Sequence, residues 1–584
     1  MAITNHLNVF FNFSEIDSKY DFYMLSTTDK YISNGAYVID KPIESLNAES
    51  VVFDNGRSLF IMFKKKVISR IELVRVLEDE KITVKQIESS DIKDFILFKL
   101  FLYGINNFES ESLKFNNITG KLFIVNPKWI AKSRKSFKAL NITVDNELNI
   151  KAEATSFNSL SLFKNQKKLI DYPKYAFANK YNALKRVLHF DNDENVYVRK
   201  AIGGKKAEIE FLNLNPKKIK FTKVFYIYES LNIIKKKYVN CLTFNLENVD
   251  INISINSIRD KEFMSKAYAD FITRETNFVS YVKENEFSQE FDDIYTNFTK
   301  QLNSKIIKSE SIEENCNNIV YIHNEDYYSD NGYDDPYKKI RRNDVIQCIT
   351  VEDSSDKLID DVTAIFETVI KESVIKNDIV NKKKFTLDNW SSYGFTNNWI
   401  FGKEKDNRHY FIIVKPDGKF EFKYKVNDFE TFDNDILDKC SEYLTDNAGK
   451  EKTVVADDKG NINIISRTNR LTLPSEEILT METISRGKES REKYLSGVAD
   501  INYYNFPNGE FYYNVGLIGA GMNTPLPKAS LLYKCDVLHG KNIVPYILET
   551  MSVLFVKFKS LTVLPYPVKY LNEFILMCES KNKN

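Results

Sequence analysis

The chain has 584 residues, 43% hydrophobic and 28% charged, and its 82 Lys/Arg against 81 Asp/Glu leave a formal net charge of +1. One hydrophobic core cannot serve that length, so several domains are expected, and near-neutrality means that a nucleic-acid partner must show itself through local charge. No apolar run reaches the ~18 residues of a membrane span, and the start, MAITNHLNVFFNFSEID, lacks the basic and apolar regions of a secretion signal; cytoplasmic location without membrane association is the expectation.

Six scattered cysteines without a CxxC pair and five histidines argue against a zinc site and a disulfide framework, and leave buried free thiols as the reading. In chain order, residues 50–66 predict a strand, turn and strand, 92–103 a buried helix, and 137–160 a hairpin turning at Asp145-Asn146. These belong to an N-terminal and linker-like domain, 1–163. A basic, strand-rich region follows over 164–257, with a turn at Gly203-Gly204 and strands at 224–228 and 239–246. Between Lys164 and Lys237 there are eighteen Lys/Arg and seven Asp/Glu. Lys185, Arg186, Arg199, Lys200, Lys205, Lys206, Lys217 and Lys218 are the candidates for contact with a phosphate backbone; a solvated surface explains the same charges equally well.

Residues 258–315 read as an acidic helical linker, and Asn317–His323 as a buried strand opening an α/β domain over 316–395. Within it a cationic turn precedes a strand holding Gln347. An amphipathic helix follows, with apolar positions Leu358, Val362, Ile365, Phe366, Val369, Ile370 and Val374, and Asp353, Ser354 or Ser355 as N-cap candidates. Tyr337, Lys338, Lys339, Arg341 and Arg342, with Gln347 on the strand, could hold a terminal phosphate beside a helix start, because such a group needs direct donors as well as positive potential. The acidic neighbours Asp334, Asp335, Asp344, Glu352 and Asp353 oppose that potential, and a solvated surface turn is the simpler alternative.

The last region, 396–584, begins with three strands (399–402, 410–414 and 420–426), then a helix over 435–444 and two strands flanking Asp457–Gly460. Strands at 511–517 and 529–535 and a helix from 543 to about 557 complete it. This is the element order of an RNase H-like domain. Gly516–Gly521 has GxxGxG spacing, and Pro525 and Pro527 block the helix that a dinucleotide-binding turn needs. Trp390 and Trp399 are expected to pack in the core rather than stack on a base, and His323 to be a core residue rather than a general base.

A Gln-containing basic pocket in an α/β domain, a β-meander domain after it, and a closing Leu564-Pro565-Tyr566-Pro567-Val568-Lys569-Tyr570-Leu571-Asn572 together resemble the MID and PIWI domains of prokaryotic Argonaute-like proteins. Thr524-Pro525-Leu526-Pro527-Lys528 looks like that family's preceding proline-containing strand. The resemblance covers about residues 316–584 and is one of pattern. It implies an α/β multidomain fold with an α+β N-terminal half, a PAZ-like or linker role for 164–257, and a phosphorylated guide end held by Tyr337, Lys338, Lys339, Arg342, Gln347 and Lys376, at most with Mg²⁺ beside it. An active member needs carboxylates that hold two metals. Here Glu404 stands where an Asp is expected after Gly402, Asp457 and Asp458 suit the second position, Asn572 replaces a His or Asp, and Asp536 is a further candidate. The resemblance therefore implies an inactive member, which binds a short guide (DNA favoured) and its complementary target in defence against plasmid or phage DNA and recruits a helicase or nuclease. A metal-dependent nuclease and a protein-interaction module without a guide are the alternatives.

Overall fold

The computed structural model describes residues 2–26, 46–54, 58–77, 82–107, 115–117, 121–163, 169, 172–178, 183–187, 195–202, 207–213, 215, 217–249, 251–255, 260–282, 288–302, 306–336, 345–351, 362–425, 432–445, 452–477, 501–506, 509–515, 531–551 and 564–581. The architecture mixes helices and strands as expected, with antiparallel sheets in the N-terminal half and a parallel sheet after it, and the chain divides into two units. The first is 1–249 with 469–495 and 520–529; the second is 250–468 with 496–519 and 530–584.

In the first unit, β1 (Ala2–Phe11), helix α1 (Asp94–Tyr103), the hairpin β2 (Ser136–Val144) and β3 (Ile150–Ser159), helix α2 (Lys223–Lys237) and β4 (Leu242–Val249) surround one core. The predicted strand pair at 50–64 joins an antiparallel four-stranded sheet, and β2 and β3 centre a seven-stranded one. Residues 224–228, expected as a strand, instead form the first turns of α2. Their alternation of apolar and aromatic residues suits a strand, but Val224, Ile227, Tyr228, Leu231 and Ile234 are buried at helical spacing, Thr222 Oγ1 caps the Phe225 amide, and Lys235–Lys237 fill the last turn.

The second unit starts with β5 (Ile251–Ile255) and helix α3 (Asp260–Phe271), followed by β6 (Thr276–Ser280), helix α4 (Ser288–Gln301), β7 (Ile306–Ser309), β8 (Asn317–Ile322), β9 (Ile346–Thr350) and helix α5 (Val362–Asn377). The stretch expected to be a purely helical linker thus contributes two strands. β6 through β9 form a parallel sheet in the order β7-β6-β8-β9, and such sheets are buried on both faces. That is why β8 is buried at all six positions.

Beyond it, β10 (Trp399–Lys405), β11 (Arg408–Val414) and β12 (Phe420–Lys425) form the expected meander, helix α6 (Asp435–Thr445) packs on it, and β13 (Lys452–Asp457) and β14 (Ile462–Leu473) follow. The sheet of this unit continues through β15 (Ile501–Asn505), β16 (Phe511–Val515) and β17 (Leu531–His539), in the order β5-β15-β16-β17-β14-β13-β10-β11-β12. Helix α7 (Pro567–Lys581) carries the closing motif. Where a long helix was expected from 543, there is a short turn of helix, Val544–Ile547, and a 3₁₀ turn, Leu548–Met551, with 552–557 outside the described residues. Trp390 and Trp399 are core residues, 1% and 3% exposed, as predicted. None of the six cysteines is in a disulfide, and Cys241, Cys440 and Cys535 are buried.

Candidate nucleic-acid interface

Alternation along β9 decides where Gln347 faces. Ile346 packs with Val279, Val320 and Ile322, whereas Ile349 and Val351 join the core beneath Phe366, Val369 and Ile370 of α5; Gln347 therefore lies on the α5 side. Lys376, in the last turn of α5, donates from Nζ to the Ile346 carbonyl. The two residues predicted to share a phosphate site are thus brought to one end of β9. The Gln347 Nε2 atom is buried and has no hydrogen-bond partner among the described residues. The helix offers its last turn here, not its first: the negative end of the helix dipole lies beside Gln347, so side-chain donors alone must meet an anion. Tyr337, Lys338, Lys339 and Arg342, with the N-cap candidates 353–355, fall outside the described residues.

The closing motif fixes this end of α5 in place. Tyr570 Oη donates to Asp378 Oδ2 at 2.9 Å, Lys569 Nζ to Glu372 Oε1 at 3.0 Å, and Tyr566 and Tyr570 are fully buried. Asp378 also accepts from the Thr386 amide at 2.8 Å and the Thr386 hydroxyl at 2.6 Å, and burial raises its pKa from 3.8 to about 6. Lys382 pairs with Asp270, and Lys383 Nζ donates to the Ile379 carbonyl, so both exposed lysines of the run after α5 already have partners within the protein. Sequence reasoning missed Glu372 and Asp378. The available signal was two acids near the end of an otherwise apolar helix face.

The carboxylates do not converge. β10 and β13 are antiparallel, with Trp399 opposite Asp457, while Glu404 lies five residues further along β10, opposite His409. That separation is about 17 Å at strand rise, against the ~4 Å that a two-metal site spans. Faces differ as well. Asp457 shares the face of Val455, Phe401 and Trp399, whereas Asp536 alternates with Cys535 onto the opposite face, with Leu538. Asp457 is 4% exposed and closes its own turn, accepting from the Lys459 amide at 3.1 Å, the Asn461 amide at 3.0 Å and Asn461 Nδ2 at 2.8 Å. Asp458 accepts from the Asn398 amide, Glu404 from the Asn407 amide, and Asp536 pairs with Lys534 at 3.0 Å. Asn572 is half-buried on α7. Among the described residues no group of three His, Cys, Asp or Glu could hold a metal ion. His323 is buried, 5% exposed, and stacks on Tyr327 with ring centroids 3.6 Å apart, which suits a core role.

Of the backbone-contact candidates, Arg199 and Lys200 line a groove beside β3, and Lys200 Nζ lies 5.2 Å from the Tyr172 ring. Lys217 and Lys218 are exposed in the turn before α2. Lys185 and Arg186 lie on the strand 183–187, their side chains outside the description, and Lys205 and Lys206 lie outside the described residues. No helix among the described residues is long and apolar enough to cross a membrane.

No family model and no curated protein matches this sequence. Among solved structures, the chain is similar to Kluyveromyces polysporus Argonaute with a guide RNA, at a TM-score of 0.45 and 11% identity over 96% of this chain and 90% of that one. It is also similar to Drosophila Piwi, at a TM-score of 0.34 and 10% identity over 99% and 96% of the two chains. No residue role is carried across from either.

Proposed function

We propose that this chain is a non-cleaving, guide-dependent nucleic-acid-binding protein. It holds the phosphorylated end of a short strand, DNA by preference, at the start of β9 and leaves cutting to a helicase or nuclease partner, in prokaryotic defence against plasmid or phage DNA. The observation that carries the binding half is the unpartnered Gln347 Nε2 beside Lys376, at the point where the chain arrives from the cationic run 337–342. A buried amide donor left without an acceptor costs about 1–3 kcal/mol, which an anionic ligand would recover. The dispersal of Glu404, Asp457 and Asp536 over two faces and both ends of the sheet supports the non-cleaving half.

Binding of matched oligonucleotides with 5′-phosphate and 5′-hydroxyl ends tests the first half. The phosphorylated strand is expected to bind about tenfold tighter, or about 1.4 kcal/mol, and Gln347→Ala with Lys376→Ala should erase the difference. Equal affinity for the two ends in the unaltered protein would overturn the assignment. For the second half, a complementary target should stay intact with Mg²⁺ or Mn²⁺ present; cutting that Asp457→Ala abolishes would establish a nuclease instead.

A further inference from the structure

The groove beside β3 has a volume of about 300 Å³ and is lined by Arg199, Lys200, Lys223, Glu153, Thr155 and Ser156 over a floor of alanines. Lys223 belongs to it only because 224–228 is helical: it is the first residue of α2, a position that the positive end of the helix dipole makes unfavourable for a cation. Among the described residues, neither Lys223 Nζ nor the Arg199 guanidinium has a hydrogen bond or an ion pair. Burial pulls the Lys223 ammonium below its ordinary pKa, with Glu153 and Glu208 opposing that shift. Three cations, Arg199, Lys200 and Lys223, therefore meet two carboxylates, Glu153 and Glu208, at the groove. Ala152–Ser156 is paired with β2 alone among the described strands, because the next strand, Tyr197–Val198, reaches β3 only at Asn158 and Ser159. Main-chain amides thus border the groove along with the Thr155 and Ser156 hydroxyls.

We infer that this groove is a binding site for one phosphate-bearing nucleotide unit, with Lys223 and Arg199 as its paired phosphate contacts. The volume lies at the lower end of small-ligand pockets, about 300 Å³, and suits one nucleotide rather than a duplex. The first amides of α2 are taken by the Glu210 and Phe211 carbonyls and the Thr222 hydroxyl, so the donors left for a phosphate dianion or diester are the cationic side chains and the flanking hydroxyls. The unit could belong to a bound strand or be a free nucleotide; the chemistry is the same. The site rests on the nucleic-acid reading above only for the source of the phosphate.

Two probes on the full chain test this: a short single-stranded oligonucleotide with a 5′-hydroxyl end, and a nucleoside monophosphate. Lys223→Gln is expected to weaken whichever probe binds by about tenfold, and to lower the salt dependence of oligonucleotide binding by about 0.7 in slope, the amount one lost phosphate contact removes. Arg199→Gln, at an exposed position, should do the same, which guards against a folding defect in the first variant. Unchanged affinity and slope in both variants would overturn the inference, as would failure of the unaltered protein to bind either probe. If Gln347→Ala alone removes 5′-phosphate preference while Lys223→Gln does nothing, the guide reading stands and this site falls. If the monophosphate binds through Lys223 but no oligonucleotide binds, the site stands and the guide reading falls.

Discussion

Asp378 shows how one buried carboxyl can tie stability to pH. It is fully buried, accepts from Thr386 and Tyr570, and lies 3.9 Å from Lys382. Removal from water outweighs those partners, so its pKa in the fold stands at about 6 against 3.8 for an ordinary carboxyl. The folded chain thus holds this proton more tightly than the unfolded chain does. The resulting stabilisation is complete below about pH 4 and is lost as pH rises through about 6; a shift of that size corresponds to about 3 kcal/mol. Asp378→Asn removes the titration. The stability of the wild type relative to that variant, from chemical denaturation, is therefore expected to increase as pH falls from about 7 to about 4. A difference that does not change with pH would show that the carboxyl titrates normally. Asp457 is structural in another way: its carboxylate oxygens accept from three donors of its own turn. Asp457→Ala should cost about 1.5–3 kcal/mol of stability, while the exposed Asp458, with one main-chain donor, should cost under about 1 kcal/mol. Equal losses for the two would deny Asp457 its structural role.

At the level of elements, β10 depends on a residue that looks like part of a motif and acts as a packing device. A Cβ on Gly402 would meet Phe411 Cε1 at 2.3 Å, and Phe411 is its cross-strand partner, fully buried against α6. Gly402→Ala should destabilise the protein by about 1–3 kcal/mol through overpacking, read as a lower unfolding midpoint with unchanged denaturant slope. The same meander was legible in the sequence because short apolar runs were separated by tight turns such as Pro416-Asp417-Gly418. So was the hairpin turning at Asp145. Legibility failed at 224–228, where aromatic and β-branched residues mimic a strand over five positions and only the longer window to Lys237 reveals the helical period. It failed again at 276–280 and 306–309, strands of five and four residues within a stretch dominated by helices. The candidate sites were less legible than the fold. The family resemblance pairs Gln347 with Lys376, but the direction of β13 relative to β10, which separates Glu404 from Asp457, leaves no linear trace, and neither does the groove that brings Lys223 to Arg199.

At the scale of the molecule, chain order and unit membership differ, and stability follows membership. The first unit includes 469–495, far along the chain from its other strands. Asn5 is fully buried on β1 and donates to the Asn469 carbonyl at 3.2 Å, while the Leu471 amide donates to Asn5 Oδ1 at 2.9 Å. Ile3 and Thr4 pair with Leu473 and Thr472, Tyr228 Oη donates to the Pro474 carbonyl at 2.7 Å, and Leu473 is 5% exposed in the same core. A fragment of residues 1–249 would lose all of these and leave Asn5 partly unsatisfied. Two or three lost hydrogen bonds at about 1 kcal/mol each and an emptied leucine site at about 2 kcal/mol sum to about 4–5 kcal/mol, a large share of the 5–15 kcal/mol a domain commonly has. The fragment is therefore expected to unfold at a markedly lower denaturant concentration than the same unit in the full chain, followed by hydrogen exchange of the β1 amides. A synthetic peptide spanning 469–477, added in trans, should raise β1 protection in proportion to its concentration, as linkage requires of a ligand that binds the folded state. If the peptide leaves protection unchanged, β1 is held by β4 and the 148–150 turn region, and the return of the chain at 469 contributes connectivity without stability.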